Sequence, residues 1–514
     1  MAPRDVAVPE RAGSGGPTGV NHVEAIRVLF ADVLGVSEVG PGEHFLGIGG
    51  DLAAANRLVR RIRAELGVEL VLRDFLKDPT PAGLAVRFGA PAAILVELAG
   101  RDDADPAERS QDALNSSGSV AGDAAIQVEI TERLRRITPT FPPDSAAAAA
   151  DEKVLLTGAS GFVGAFVLTD LLSRGQRVAA LLRGGEARRG GLVQHLEQLG
   201  LWQGDFAGLL DIVAGDVAEP ALGLDRVTYD KLARTVGRIV HCAAWVNHVL
   251  PYAILAAANA HSAAEILEFA VARRRKPVTY VSTKGVLSPA HYPPETEIAA
   301  GPVVALPPDV DGYGRSKAVA EAYFARAAEV GACVSVVRIS GVYGDRSAFQ
   351  IQRNDAVWSW TKAILLTGRY PSSYDLPGNE LLQAVPADVV AHVIVDLGRP
   401  SDVPGCRFIN AIPNRVCGTR DFVAGIREAG HVVEPMDDRE WHVAVSRLDV
   451  DDVWIAAVAG QIATMPGIEL PQRLPRFSAG DEPTVSRVVD AAAVTTPQDV
   501  AGYIRSLEKA TSGD

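Results

Sequence analysis

Residues 154–172 read VLLTGASGFVGAFVLTDLL. A β-rich run ends at Thr157, glycines follow at 158, 161 and 164, and an apolar helical run carries on. In such a stretch the first glycine permits a tight turn. The second lets the backbone approach a pyrophosphate, and the third lets the helix pack on the strand. The helix N-terminus then meets the phosphates with its free amides and the positive end of its dipole. Gly158, Ser160, Gly161, Phe162 and Gly164 are thus candidates for binding a dinucleotide. Three spaced glycines alone are a weak signal. Here a strand precedes them, a helix follows and a βαβ series continues, which is the context the motif requires.

That series extends outward from the motif. KVLLTGAS, RVAALLR, LLDIVAGDV, RIVHCAA, VTYVST and CVSVVRIS are short β-rich runs separated by helical patterns. Such alternation predicts an α/β, Rossmann-type, doubly wound parallel sheet with helices on both faces. We assign it to residues 151–400. After Gly344 the regularity fades. Residues 401–514 are expected to form a mostly helical substrate-binding part, with strand candidates such as CRFIN. Upstream, VEAIRVLFADVLG sets Val23, Ile26, Leu29, Phe30 and Val33 on one helical face, and Gly35 stops the helix. LAAANRLVRRIRAELG is a second amphipathic helix. Residues 20–88 therefore read as a small α-helical bundle. Residues 1–19, rich in Pro, Gly and Ser, read as a disordered tail. Residues 89–150 read as a linker with one helical element, AIQVEITERLRRI.

The 514 residues suit about three folding units at roughly 150 residues each. A net charge of -13 with no basic stripe argues against a nucleic-acid partner. No apolar run approaches the ~18 residues of a membrane span, and the start lacks a secretory apolar segment, so a cytoplasmic location is expected. Cys242, Cys333, Cys406 and Cys417 form no CxxC pair and read as free thiols. The ten histidines show no metal-binding spacing, and no metal site is expected.

The second strand ends VAALLRGGEARR. An acidic residue at that end would bond the ribose 2′-hydroxyl of NAD. Arg183 stands there instead, with Arg188 and Arg189 close behind and Glu186 among them. Guanidinium groups suit a 2′-phosphate, which favours NADPH. Asp216 and Val217, after the third strand, are candidates for the adenine edge.

DGYGRSKAVAEAYFARAA places Tyr313 and Lys317 four apart, one helical turn. A phenol near its ordinary pKa of about 10 is a poor acid at neutral pH, and a nearby ammonium would lower that value. Thr283 ends VTYVST, at the carboxyl end of a strand, where doubly wound sheets bind ligands. Ser282 points to the opposite face by strand alternation. Thr283, Tyr313 and Lys317 are the catalytic candidates.

This set resembles the extended short-chain dehydrogenase/reductase superfamily. LLTGASGFVGAFVLTDLL, HCAAWVNHVLPYAILAAAN, YVSTKGV, GYGRSKAVAE and VRISGVYGD together resemble the thioester reductase domains that end some nonribosomal peptide synthetases. Carboxylic acid reductases carry a related domain. The resemblance covers most of residues 151–415. It implies hydride transfer from NADPH to an acyl or peptidyl thioester on phosphopantetheine, releasing an aldehyde that a second hydride could take to an alcohol. Tyr313 would donate the proton, Lys317 would also hold the nicotinamide ribose, and Thr283 would help stabilise the oxyanion. Ala243, Ala244 and Val246 would flank the nicotinamide. For Asn259 a structural and a functional role both stay open. The family's further arginine near GLVQHL is absent: Gly191 occupies that spot, and Arg188 or Arg189 could replace it. Trp358, Trp360 and Phe349 would touch an apolar acyl chain or belong to the core. Two other readings of the same motifs are a nucleotide-sugar epimerase or dehydratase and a non-catalytic dinucleotide-binding scaffold.

Residues 20–88 resemble a peptidyl carrier domain, and carrier-then-reductase is the order at the end of such synthetases. Carriers usually read Leu-Gly-Gly-Asp-Ser, the Ser accepting phosphopantetheine. Here HFLGIGGDLAAANRL, residues 44–58, has Leu52 at that position and no Ser or Thr anywhere in the stretch. Leucine offers no nucleophile, so no carrier attachment is expected. Asp51 can still cap the helix. The substrate would ride on another carrier, such as one of an upstream synthetase, or on coenzyme A. Incubation with coenzyme A and a phosphopantetheinyl transferase should leave the mass of the chain unchanged. A phosphopantetheinyl adduct mapped to residues 44–58 would overturn this reading.

Overall fold

The computed structural model describes most of residues 19–88, positions 128, 131 and 132, and residues 152–512 apart from 288–295, 304–309, 346–347, 353–355, 449–474 and isolated positions. The expected tail and most of the expected linker lie outside the described residues. The chain divides into two compact units, residues 1–105 with 449–464 and residues 106–448 with 465–514.

In the first unit, α1 (Gly19–Leu34), α2 (Leu52–Leu66) and α3 (Pro81–Arg87) form a bundle. The periodic face holds: Val23, Ile26, Leu29 and Phe30 are buried, and Val33 is half-buried. Phe30, Phe45 and Phe75 meet at the centre, with ring centroids 5.1, 5.4 and 6.0 Å apart. Phe45 belongs to the carrier-like stretch, so that loop is anchored by an apolar side chain. Thr80 caps α3 by accepting from the Gly83 amide at 3.0 Å, and Pro81 fills its first turn. Helix α2 begins at Leu52. The expected Asp51 cap and the Leu52 side chain lie outside the described residues.

The second unit is built on seven parallel strands. They are β1 (Lys153–Thr157), β2 (Arg177–Leu182), β3 (Leu210–Ala214), β4 (Val236–His241), β5 (Val278–Thr283), β6 (Cys333–Ile339) and β7 (Gly405–Ala411). Their spatial order is β7-β6-β5-β4-β1-β2-β3. Helices cover both faces, so strand residues of either parity are buried. Leu155, Ile239 and Val336 pack on one side with Phe269 and Phe324. Leu156, Val240 and Val337 pack on the other with Phe166 and Leu171. Strand order reverses between β1 and β4, and open α/β sheets bind ligands at such a switch point.

The edge strand β7 comes from CRFIN, beyond residue 400, and its neighbour β6 carries the one fully buried arginine pair among the described residues. Arg338 Nε and Nη2 reach Glu321 Oε1 and Oε2 at 3.0 and 2.7 Å, and Nη2 also donates to the Gly301 carbonyl. Beyond the sheet, Trp358 and Phe349 pack on Tyr503, and Trp360 packs on Trp441. All three aromatics are thus engaged by neighbours from the helical part.

One helical stretch, Tyr252–Val271, does reach the length and apolarity that could cross a membrane. This corrects the expectation that none would. It contains a π turn at Ala257–His261, and its apolar residues are buried in the sheet's core, which accounts for its composition.

Candidate active site

The glycine turn forms as its spacing requires. Gly158 adopts φ +77°, and a Cβ there would lie 2.6 Å from the Ala243 amide nitrogen. A Cβ on Gly164 would lie 1.9 Å from the Gly158 carbonyl oxygen. Only glycine permits both approaches. The Gly161 amide donates to the Gly158 carbonyl at 3.0 Å, and Gly161 then leads into the helix Phe162–Ser173.

A cavity of about 620 Å³ opens there, at the carboxyl ends of β1, β2, β3 and β4. Gly158, Ser160, Gly161, Arg183, Asp216, Val217, Ala243 and Ala244 line it. The residues present fit a dinucleotide: a glycine cradle that side chains would fill, a helix N-terminus beside it and an arginine at the β2 end. Other candidates stand elsewhere. Phe162 packs edge-on to Phe166, with centroids 5.3 Å apart, so it serves the core. Gly164 packs the helix on the turn. Val246 is 55% exposed and outside the cavity lining, whereas its neighbour Trp245 lines it. Trp245, Ala218, Ala257 and Ala258 also line the cavity. They carry no charge or motif that would single them out in sequence.

The arginines divide in two. Arg189 pairs with Glu186 and donates to the Leu210 carbonyl at 3.2 Å. Glu186 is thereby neutralised. Arg183 and Arg188 are exposed. Asp216 accepts from the Ala218 amide at 3.0 Å, which shapes the turn after β3.

Behind the cradle runs a buried polar chain. Thr157 Oγ1 lies 2.7 Å from His241 Nδ1 and accepts from the Ala243 amide at 3.2 Å. His241 stacks on Tyr280, with centroids 5.5 Å apart. Burial, reinforced by Lys317, pushes the His241 pKa down to about 3, so the imidazole is neutral. Asn259 is a brace: Oδ1 accepts from the Trp245 amide at 2.6 Å, and Nδ2 donates to the Trp245 carbonyl and to Ser316 Oγ, each at 3.0 Å.

Tyr313 and Lys317 lie in the helix Gly312–Glu329, capped by Asp311, whose Oδ1 accepts from the Gly314 amide at 2.6 Å. Both are buried. The helix start packs on the turn after β5, where a Cβ on Gly314 would lie 3.2 Å from the Gly285 carbonyl oxygen. Thr283 ends β5 and accepts from the Gly285 amide at 3.1 Å. Ser282 is buried.

The electrostatics differ from the sequence expectation. Lys317 Nζ donates to the Val281 carbonyl at 2.7 Å and lies 4.2 Å from the Tyr280 ring centre. Its ammonium is thus directed at a carbonyl and a ring face. Burial lowers the Lys317 pKa to about 7. The Tyr313 phenol is pushed up, by burial and then by the Asp311 carboxylate. It stands protonated, the form a proton donor needs.

Comparison with known proteins agrees with this geometry. Residues 156–394 match the NAD-binding family described as male sterility protein, and residues 24–87 match the phosphopantetheine attachment site family. A linear gramicidin synthase of Brevibacillus parabrevis is 31% identical over 423 residues, covering 81% of this chain and 8% of that protein. The chain therefore spans only a small part of that relative. The terminal R domain of the myxalamid PKS-NRPS pathway superposes with a TM-score of 0.64 at 26% identity, covering 74% of this chain and 97% of that one. A thiolation-reductase di-domain from an archaeal nonribosomal peptide synthetase shares the fold, with a TM-score of 0.62 at 18% identity, covering 96% and 98%. This chain belongs to the carrier–reductase didomains, a carrier-type bundle joined to an NAD(P)-binding reductase domain of the extended short-chain dehydrogenase/reductase superfamily.

Gly158→Ala should lower NADPH affinity at least about tenfold, because the new Cβ meets the Ala243 backbone in an already unfavourable φ. Gly175→Ala is the control. Its φ of +71° is equally left-handed, but a Cβ there meets nothing within 4 Å. Fluorescence titration of NADPH should show binding kept in the second variant and lost in the first.

Proposed function

We propose that the chain is an NADPH-dependent thioester reductase that releases a carrier-bound acyl or peptidyl group as an aldehyde. The observation that carries this reading is the convergence of Thr283, Tyr313 and Lys317 at the carboxyl end of β5, in a domain whose glycine cradle fits a dinucleotide. The bound coenzyme supplies the hydride. Tyr313, protonated by its environment, donates to the carbonyl oxygen as charge develops on it. Thr283 shares that oxyanion, the electrostatic contribution that usually dominates such reactions. Lys317 has the added task of holding the nicotinamide ribose. The hemithioacetal then expels the thiol and leaves an aldehyde.

The carrier-type bundle supports a phosphopantetheinyl substrate in preference to a nucleotide sugar. Leu52 directs that substrate to a separate carrier, such as one of an upstream synthetase, or to coenzyme A. The bundle would then be vestigial or a docking module, acting in the cytoplasm with the rest of the chain. Exposed Arg183 and Arg188, with Glu186 already paired to Arg189, support NADPH over NADH.

Tyr313→Phe should abolish aldehyde formation from a panel of acyl thioesters while NADPH affinity stays within about threefold, since only the proton donor is removed. Product analysis checks the first half and fluorescence titration the second. Undiminished reduction by this variant would overturn the mechanism. Arg183→Glu should weaken NADPH about tenfold or more and leave NADH unharmed, because one charge-assisted bond contributes roughly 1.5–3 kcal/mol. Steady-state kinetics with both coenzymes tests this.

A further inference from the structure

His248 has no part in the reading above, yet it stands against Tyr313. Its Nδ1 lies 2.7 Å from Asp311 Oδ2, and its ring meets the phenol edge-on, with centroids 5.2 Å apart at 78°. Three ties fix this arrangement. Asp311 is held as the helix cap by the Gly314 amide. Gly312 lets the chain after His248 approach closely: a Cβ there would lie 2.2 Å from the Leu250 carbonyl oxygen. The Asn247 side chain accepts from the Leu250 amide at 2.9 Å and fixes the turn around His248. A carboxylate oxygen only accepts, so Nδ1 carries a hydrogen and Nε2 is the atom that exchanges protons. The imidazole is 47% exposed, with solvent on one side and the catalytic phenol on the other.

We propose that His248, oriented by Asp311, is the general acid that protonates the departing sulfur when the hemithioacetal collapses. This deepens the thioester reading and rests on it. After hydride addition and proton donation by Tyr313, the substrate carbon bears a hydroxyl and the sulfur, and Tyr313 is a phenolate. In the collapse the C=O bond re-forms, and the hydroxyl proton returns to Tyr313. The C–S bond breaks, its electron pair leaves with sulfur, and the Nε2 proton of the imidazolium passes to that sulfur. Solvent then recharges His248 on its exposed side. One hydride and one proton are consumed per thioester, and one aldehyde and one thiol are released.

An alkyl thiol, with a pKa near the ~8.5 of cysteine, leaves more readily when protonated, whereas an aryl thiolate leaves unaided. The test therefore uses the full chain, NADPH, and the S-pantetheinyl and S-phenyl esters of one acyl group. NADPH oxidation and free thiol are followed in single turnovers. With His248→Gln, thiol release from the pantetheinyl ester should fall about 100-fold and lag behind NADPH oxidation, while the phenyl ester loses no more than about threefold. Asp311→Asn, which retains a good helix cap, should show the same selective defect in smaller measure. Equal losses on both esters, or no loss on either, would overturn the role of His248. If the unmodified chain reduces neither ester, the thioester reading itself falls.

Discussion

One hydroxyl ties together the two strands that part company at the centre of the sheet. Thr157 Oγ1, at the end of β1, meets His241 at the end of β4 and also accepts from the Ala243 amide. The glycine turn begins at the next residue. Its backbone runs so close to Ala243 that no side chain fits between them. The cradle is therefore a property of two strand ends held at a fixed spacing. From His241 the same ordered interior continues through the Tyr280 ring to Lys317. The cofactor side and the proton-transfer side of the site thus share one buried support.

That support has an energetic cost. Lys317 is buried with its pKa depressed to about 7 from 10.5. Between those values the unfolded chain holds more protons than the folded one, so this residue's contribution to stability rises with pH across that window. Near neutral pH the fold carries a partly charged ammonium in its interior, stabilised by the Val281 carbonyl and the Tyr280 ring. Packing alone would favour an apolar side chain here, so the lysine marks the site as strongly as its distance from Tyr313 does.

Much of this was legible in sequence because it rests on local rules. Glycine spacing, strand and helix alternation, and a periodic apolar face each follow from a few adjacent residues, and the strands formed where β-rich runs stood. Long-range geometry was not legible. Sequence put Lys317 one turn from Tyr313 and suggested an acidified phenol, but the ammonium is claimed by Val281, and burial raises the phenol instead. Val246 and Trp245 were indistinguishable until the turn after β4 set their directions. The Tyr252–Val271 stretch meets a membrane criterion only because a core helix and a membrane helix have the same apolar composition. His248 and Asp311 lie 63 positions apart, and nothing local joins them.

The carrier-type bundle makes the complementary point. Its core consists of α1, α2 and the three phenylalanines, all buried away from the loading position. The residue at that position opens α2. A serine there would contribute chemistry, while the apolar contacts that fold the bundle come from Phe45, Leu58 and Ile62. Replacing it with leucine therefore removes the attachment without touching what holds the bundle together. The reductase half is built the other way: Tyr313 and Lys317 are buried among the residues that pack their helix on the sheet. Loss of chemistry is structurally cheap in the first half and disruptive in the second, and this chain has lost the one and kept the other.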